Sequence, residues 1–403
     1  MSTARTVTAR EIHTYSFPTQ IQFGARARER LPQAVRRLGM ARPLVVSDRD
    51  VARLPWFSEI LNLLSGVEPA VFSGVWGNPV VSQVEVGLAA YRNHGADGIV
   101  AVGGGAPMDV AKAIALMAHH PGHLFEYEDG LLDGRPVDQL VPAIVAIPTT
   151  AGTGSEVGRS AVISDDATHA KKIIFAPELL PKVVLADPEL LLGLPAKITA
   201  ATGMDALTHL VEAYLAKGLH PICDGIALEG LRLVADHLKD CVAFAQRQGM
   251  GESLDGKAAE AHLVARGGML NASMMGAIAF QKGLGVTHSC AHALSTVCDT
   301  HHGLANAVML PAAMAFNLEA APEKFLRLAQ AVRPGATSGE DFLDWLVTLR
   351  RAIGIPNTLT DLGISPGAVD DLVGVALQDG CYAFNPRLVS KAEFYAIYEA
   401  AFA

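Results

Sequence analysis

The sequence of 403 residues predicts an α/β half followed by an all-helical half. Three observations carry that expectation. Short β-rich runs alternate with segments of helical periodicity up to residue 193, β-like runs disappear after Pro195, and two glycine-bearing loops follow apolar strands in the first half. Alternation of this kind implies a mostly parallel sheet with helices on both faces. The expected division is an α/β domain over residues 1–193 and a helical domain over 194–403.

Each element can be read in order. PLVVSD (43–48), AVFSGVW (70–76), GIVAVGG (98–104) and AIVAIPT (143–149) are short apolar runs that predict strands. Between them, VSQVEVGLAAYRNH (81–94) and MDVAKAIALMAHH (108–120) space apolar residues as helices do. RSAVISD (159–165) and KKIIFAP (171–177) flank the polar turn DATHA, which predicts a hairpin added to the sheet. In the second half, residues 222–248 predict one long helix, and GMGESLDG (249–256) a loop between helices. The cleft between two such domains is the expected place for a ligand.

Composition excludes several classes. Half the residues are hydrophobic and 18% are charged, which excludes a disordered chain. With 32 Lys and Arg against 41 Asp and Glu, the net charge is −9, which argues against a nucleic-acid partner. No uninterrupted apolar stretch reaches the roughly 20 residues of a membrane span, so no membrane partner is expected. The N-terminal stretch has no apolar core of a secretory signal. Five cysteines without a CxxC pair suggest reduced thiols in a cytoplasm.

The chemistry begins at GIVAVGGGAPMDVAK, where a strand runs through Gly103, Gly104 and Gly105 into a helix. Glycines let a phosphate approach the backbone, and the helix start offers free N–H groups. A lone triple glycine is equally well read as a tight turn. IPTTAGTGSE (147–156) is a second such loop, with hydroxyls on Thr149, Thr150, Thr153 and Ser155. Two loops of this type at strand ends favour a nucleotide. Asp48 ends its strand, where a carboxylate accepts from ribose hydroxyls and repels a 2′-phosphate, favouring NAD over NADP; a helix cap is the competing role.

TGMDALTHLVEAY (202–214) sets Asp205 and His209 four residues apart, on one helix face. GVTHSCAHALSTVCDTHHGLANA (285–307) adds His288, His292, His301 and His302. A carboxylate with several imidazoles is a divalent transition-metal set, suited to Fe²⁺ or Zn²⁺. Isolated histidines on apolar helices are usually core residues, but four within fifteen residues beside an Asp-x-x-x-His are not explained that way.

With GGGAPMDVAK, PTTAGTGSEV, ATGMDALTH and HSCAH…HHGLANAVMLP in this order, the chain resembles the iron-containing (group III) alcohol dehydrogenases nearly end to end. The resemblance implies a Rossmann-like dinucleotide-binding domain followed by a helical metal-binding domain. It implies metal ligands at Asp205, His209, His288 and His302, with His292 a non-ligand histidine near substrate and the candidate proton relay. His301 falls where the family varies. Cofactor contacts are implied at Asp48, Asn78, Gly103, Gly104, Gly105, Ala106, Thr149, Thr150, Thr153 and Lys171. From the residues alone, Asn78 reads equally as a helix cap and Lys171 as a solvated edge charge. Two departures stand out: Ala106 replaces the family's usual Ser, and Gly158 stands where many members carry Thr.

The implied reaction is interconversion of a small alcohol and aldehyde (a semialdehyde or hydroxy acid among the options) with NAD(H) and a divalent metal, iron or zinc. A cytoplasmic homo-oligomer, dimer or larger, is implied with it. A maleylacetate-reductase-like reductase and a dehydroquinate-synthase-like cyclase compete. The full ligand set counts against the first, and the scarcity of basic residues near the metal motifs against the second. Lys282, six residues before His288, has two readings: an anchor for a substrate carboxylate, or a cation at the end of the preceding helix.

Overall fold

The structure is a computed structural model and describes residues 13–16 and 19–403. The chain divides into two compact units. One holds the chain up to Thr150 together with Gly154–Leu192, the other Ala151–Thr153 together with Gly193–Ala403.

The first unit contains β1 (His13–Ser16), β2 (Gln20–Phe23), α1 (Leu31–Arg37), β3 (Pro43–Asp48), α2 (Pro55–Leu63), β4 (Ala70–Val75) and α3 (Val81–His94). It continues with β5 (Gly98–Gly103), α4 (Gly105–Met117), β6 (Ile144–Pro148), β7 (Ser160–Ser164), β8 (Lys171–Phe175) and β9 (Val183–Ala186). Seven strands form one sheet in the order β1-β2-β9-β6-β5-β3-β4. Every pairing in it is parallel except β1 with β2. Leu44, Val45, Val46 and Ile99 through Val102 are fully buried, as expected of strands covered on both faces. Strand order reverses between β3 and β5: β4 lies outside β3, whereas β6 and β9 continue beyond β5. That switch point leaves a crevice at the carboxyl ends of the two strands.

The sequence reading differs from this architecture at three places. The hairpin β7–β8 forms its own two-stranded sheet and is not added to the larger one. Its buried face (Ala161, Ile163, Ile174) turns inward, and Asp109 of α4 accepts the Val162 N–H that a further strand would have used. The helix after the triple glycine starts at Gly105, three residues earlier than its apolar periodicity begins, because the loop glycines enter the first turn. Strands β1, β2 and β9, four residues each, are too short for a periodic signal.

The second unit is helical: α5 (Ala196–Leu215), α6 (Pro221–Gly249), α7 (Gly256–Ala279), α8 (Val286–Cys298), α9 (His302–Asn317), α10 (Pro322–Val332), α11 (Glu340–Ala352), α12 (Val369–Ala376) and α13 (Lys391–Phe402). Among the described residues it contains no strand. Helix α5 is buried along nearly its whole length, which places its polar residues inside the unit. One stretch, Gly256–Lys282, passes the length and mean-hydropathy criteria for crossing a bilayer, although Lys257, Glu260 and Arg266 interrupt its apolar run. It is a core helix by its packing, since 67% of its most apolar window is buried in the protein.

Candidate active site

Asp205 and His209 project from successive turns of α5, His288 from the first turn of α8 and His302 from the first residue of α9. Their ligand-type atoms all lie within 4.8 Å of one another. Asp205, His209 and His288 are buried and His302 is half-buried. Gly303 permits this approach: a Cβ there would run into the Ala201 carbonyl of α5. His301 stays exposed just before α9 and lies outside the cluster.

Glu212, one turn beyond His209, organises the cluster. Its Oε2 accepts the His288 Nδ1–H at 2.7 Å and the Gly285 N–H at 2.9 Å, and its Oε1 accepts the Thr287 N–H at 2.7 Å. Burial by itself would raise this carboxyl; the bonds from His288 and Thr287 outweigh it and hold Glu212 below its ordinary value. An ionised carboxylate only accepts, so the His288 proton sits on Nδ1 and the Nε2 lone pair faces the cluster. Burial pushes His209 down to about 4, so its ring is neutral at neutral pH.

These side chains fit a divalent cation. Asp205 Oδ1, His302 Nε2 and His288 Nε2 crowd around one amide nitrogen, Asn306 Nδ2, at 2.8, 3.1 and 3.4 Å. Several lone pairs converging in a buried site, with one shared donor, is the electrostatic signature of a cation site.

His292 lies one turn beyond His288 on α8. Its ring stacks on His302 at 5.2 Å between centroids, and its Nδ1 donates to Asp379 Oδ2 at 2.7 Å. Asp379 Oδ1 also accepts from Ser289 Oγ at 2.6 Å and from the Cys381 N–H at 2.8 Å. Burial would raise this carboxyl, but His292, Ser289 and the Cys381 amide together hold it well below the usual carboxylate range.

In the first unit, the other candidates gather at the carboxyl ends of parallel strands: Asp48 after β3, Gly103–Ala106 after β5, Thr149 and Thr150 after β6. Asn78 follows β4 on the same edge of the sheet. Gly103 has φ 147°, and a Cβ on it would meet the Pro107 ring and come within 3.2 Å of Asp48 Oδ2. A Cβ on Gly104 would meet Thr150 Oγ1 at 3.0 Å. The turn is therefore a backbone cradle with no room for side chains beneath it. Asp48 Oδ1 accepts from Asp50 N and Val51 N at 3.0 and 2.8 Å, bracing the turn that leads into the helical turn Val51–Arg53, whose N-cap residue is Asp50, while Oδ2 faces Gly103. Thr153 groups with the second unit, and Lys171 opens β8, its charge one of several that oppose the rise burial imposes on the Asp109 carboxyl.

Lys282 does not fit the anchor reading. Its ammonium is buried, ion-paired with Asp224, and donates to the Tyr214 carbonyl in the last turn of α5 at 3.1 Å. It caps the end of α5, not that of the helix preceding it in sequence.

Sequence reasoning passed over Glu212, Asn306, Asp379 and a buried network in the first unit. Lys112 Nζ, fully buried, donates to Ser155 O and Ser160 O, each at 2.7 Å. Asp109 Oδ1 accepts from Ser155 Oγ at 2.6 Å. Together they tie α4 to the second glycine-bearing loop. Burial brings Lys112 down to about 8 and raises Glu156, with one carboxyl oxygen left without a partner, to about 7. Both Asp109 and Lys112 lie within GGGAPMDVAK, and a buried charge pair three residues apart was the available signal.

Comparison with known proteins extends this picture. Residues 18–188 match the family model described as iron-containing alcohol dehydrogenase, and residues 199–402 the C-terminal model of the Fe-containing alcohol dehydrogenase family. The chain is 38% identical to 4-hydroxybutyrate dehydrogenase of Cupriavidus necator, over 89% of this chain and 91% of that one. It is 37% identical to 1,3-propanediol dehydrogenase of Klebsiella pneumoniae, over 96% and 98%. A crystal structure of 1,3-propanediol oxidoreductase superposes with a TM-score of 0.87 at 36% identity, covering 98% of this chain and all of that one.

Proposed function

The chain belongs to the iron-containing alcohol dehydrogenase family, and from that premise we propose that Asp205, His209, His288 and His302 hold a divalent metal, Fe²⁺ with Zn²⁺ the alternative. The family's activity is oxidoreduction of alcohols and aldehydes, and it implies NAD and a divalent metal. The observation that carries the proposal is the convergence of four ligand-type atoms within 4.8 Å on side chains from three helices. When bound, the metal supplies Lewis acidity to the substrate oxygen and the nicotinamide supplies or takes the hydride.

The residues of the chain do the rest. Glu212 fixes the tautomer and rotation of His288. His292 Nε2 accepts the alcohol proton in oxidation and returns it in reduction. Amides of Gly103, Gly104, Gly105 and Ala106 receive the diphosphate, and the loss of a serine hydroxyl at 106 leaves that backbone contact intact. Asp48 takes ribose hydroxyls through Oδ2, the oxygen not held by the Asp50 and Val51 amides. Asn78, Thr149, Thr150, Thr153 and Lys171 complete the cofactor contacts. Nucleotide binding is assigned to residues 1–193 and metal binding to 194–403, in a cytoplasmic homo-oligomer.

For substrate we propose a small terminal alcohol bearing a second polar group, the class named by the two relatives above. Lys282 is occupied by Asp224, so it is not the partner of that group. The test is metal analysis of anaerobically purified protein, followed by NADH- and NADPH-dependent reduction of an aldehyde panel. Metal at one equivalent per chain, metal-dependent turnover and a preference for NADH are expected. Turnover unaffected by metal removal, or equal efficiency with both cofactors, would contradict the metal and Asp48 assignments respectively.

A further inference from the structure

We propose that Asp379 is a positioning residue for His292: it holds the ring proton on Nδ1 and so keeps Nε2 free to accept a proton. The inference rests on the reading of His292 as proton carrier and adds the group that makes that role possible.

The geometry leaves little freedom. His292 Nδ1 and Asp379 Oδ2 are 2.7 Å apart, and each side chain is only 15% exposed. The other carboxylate oxygen is held twice, by Ser289 Oγ–H and by the Cys381 N–H. Ser289 is in turn fixed by the Tyr382 N–H at 3.0 Å. Ser289 and His292 are three residues apart on α8, so one carboxylate grips the same helix face at two points. A carboxylate has no proton to give, so the imidazole nitrogen facing it must be the donor. The opposite nitrogen then carries the lone pair. His292, Asp379 and Cys381 also meet the spacing of a three-ligand metal group. The three donors already bound to Asp379 and the thiol of Cys381, which burial raises well above its ordinary value, speak for an anchor and against a second ion.

The amide isostere separates positioning from packing. The Cys381 N–H can only donate, so the carbonyl oxygen of Asp379→Asn must stay on that side. Its NH₂ then faces His292 Nδ1 and forces the ring proton onto Nε2, the nitrogen that should accept. The variant keeps the shape of the site and inverts one tautomer.

The experiment has two arms. In the first, ¹⁵N-histidine spectra of the Zn²⁺-loaded enzyme report which nitrogen of His292 is protonated, with His292→Ala providing the assignment. Protonation at Nδ1 in the wild type and at Nε2 in Asp379→Asn is expected. Protonation at Nε2 in the wild type overturns the proposal without recourse to any variant. In the second arm, Asp379→Asn should retain metal and KM while kcat falls on the order of 10²-fold, the scale of a lost general base. Combined with His292→Ala it should cost nothing further, because both changes remove one function. Loss of metal in Asp379→Asn, or an unchanged kcat beside a slow His292→Ala, overturns the positioning role and leaves the relay standing. Full turnover in His292→Ala overturns the relay itself, and the inference with it.

Discussion

The two units build their candidate sites from different material. In the first, the candidate site is largely backbone: a glycine turn at φ 147°, strand-end loops and the start of α4. In the second it is almost wholly side chain, with ligand atoms delivered by three helices into a space 4.8 Å across. A backbone site depends on chain path and tolerates changes of residue, so a residue such as Ala106 offers the same backbone N–H as a serine would. A side-chain site has no such tolerance, since each ligand atom exists only while its residue does. The difference also sets how each is supported. In the first unit a buried charge network ties α4 to the second glycine-bearing loop; in the second, single carboxylates hold single histidines, Glu212 the cluster's His288 and Asp379 its neighbour His292.

The sharpest way to break this contrast is to remove one ligand. Asp205→Ala should lose bound metal and reduce turnover on the order of 10³-fold or more, the several kcal/mol a Lewis acid supplies. NADH affinity, measured by fluorescence titration, should stay within about twofold. A parallel loss of NADH binding would show that the two sites are not separable. A smaller effect is expected from Asn306→Ala. It removes the donor to Asp205 Oδ1 at 2.8 Å while sparing all four ligand-type residues. Metal affinity from competition with a chelator should fall roughly 10- to 100-fold; unchanged affinity would mean that the amide is a bystander.

The third test turns to the second glycine-bearing loop of the first unit. Glu156 is raised by burial from 4.5 to about 7, so between those values the folded chain holds a proton that the unfolded chain has released. Its contribution is complete below the lower value and is lost as pH rises through the upper one. Glu156→Gln cannot titrate. Its stability relative to wild type should therefore increase from about pH 5 to about pH 7.5, by roughly 3 kcal/mol at most, in paired urea melts. A gap that stays constant across that range would show that Glu156 titrates normally.

Legibility follows the same division. The α/β half was readable because β3, β5 and β6 are buried on both faces and so read as continuous apolar runs. The separate sheet of β7 and β8 was not, since an alternating hairpin carries no mark of which surface it will cover. Asp205 with His209, and His288 with His292, stand one helical turn apart and announce themselves by spacing. Glu212 stood three residues after His209 on the same helix and could have been read. Asp379 could not: 87 residues separate it from His292, and only the folded chain brings them within 2.7 Å. Lys282 shows the opposite hazard, a cation close in sequence to a ligand histidine whose partner, Asp224, lies 58 residues away.

Glu212 carries a consequence for anyone redesigning this scaffold. Gly285, at the start of α8, has no side chain to cap its helix, and the carboxylate of Glu212 takes that office from α5 by accepting the N–H groups of residues 285 and 287. The same oxygen atoms orient His288. Residue 212 is thus shared property of the thermal melt and of the metal, and a library varied there cannot trade one for the other. Directed evolution toward a new ion can vary Asn306, which touches the ligands without supporting the start of α8, but position 212 should be frozen. A screen for folded protein at that one codon would already be a screen for an intact His288.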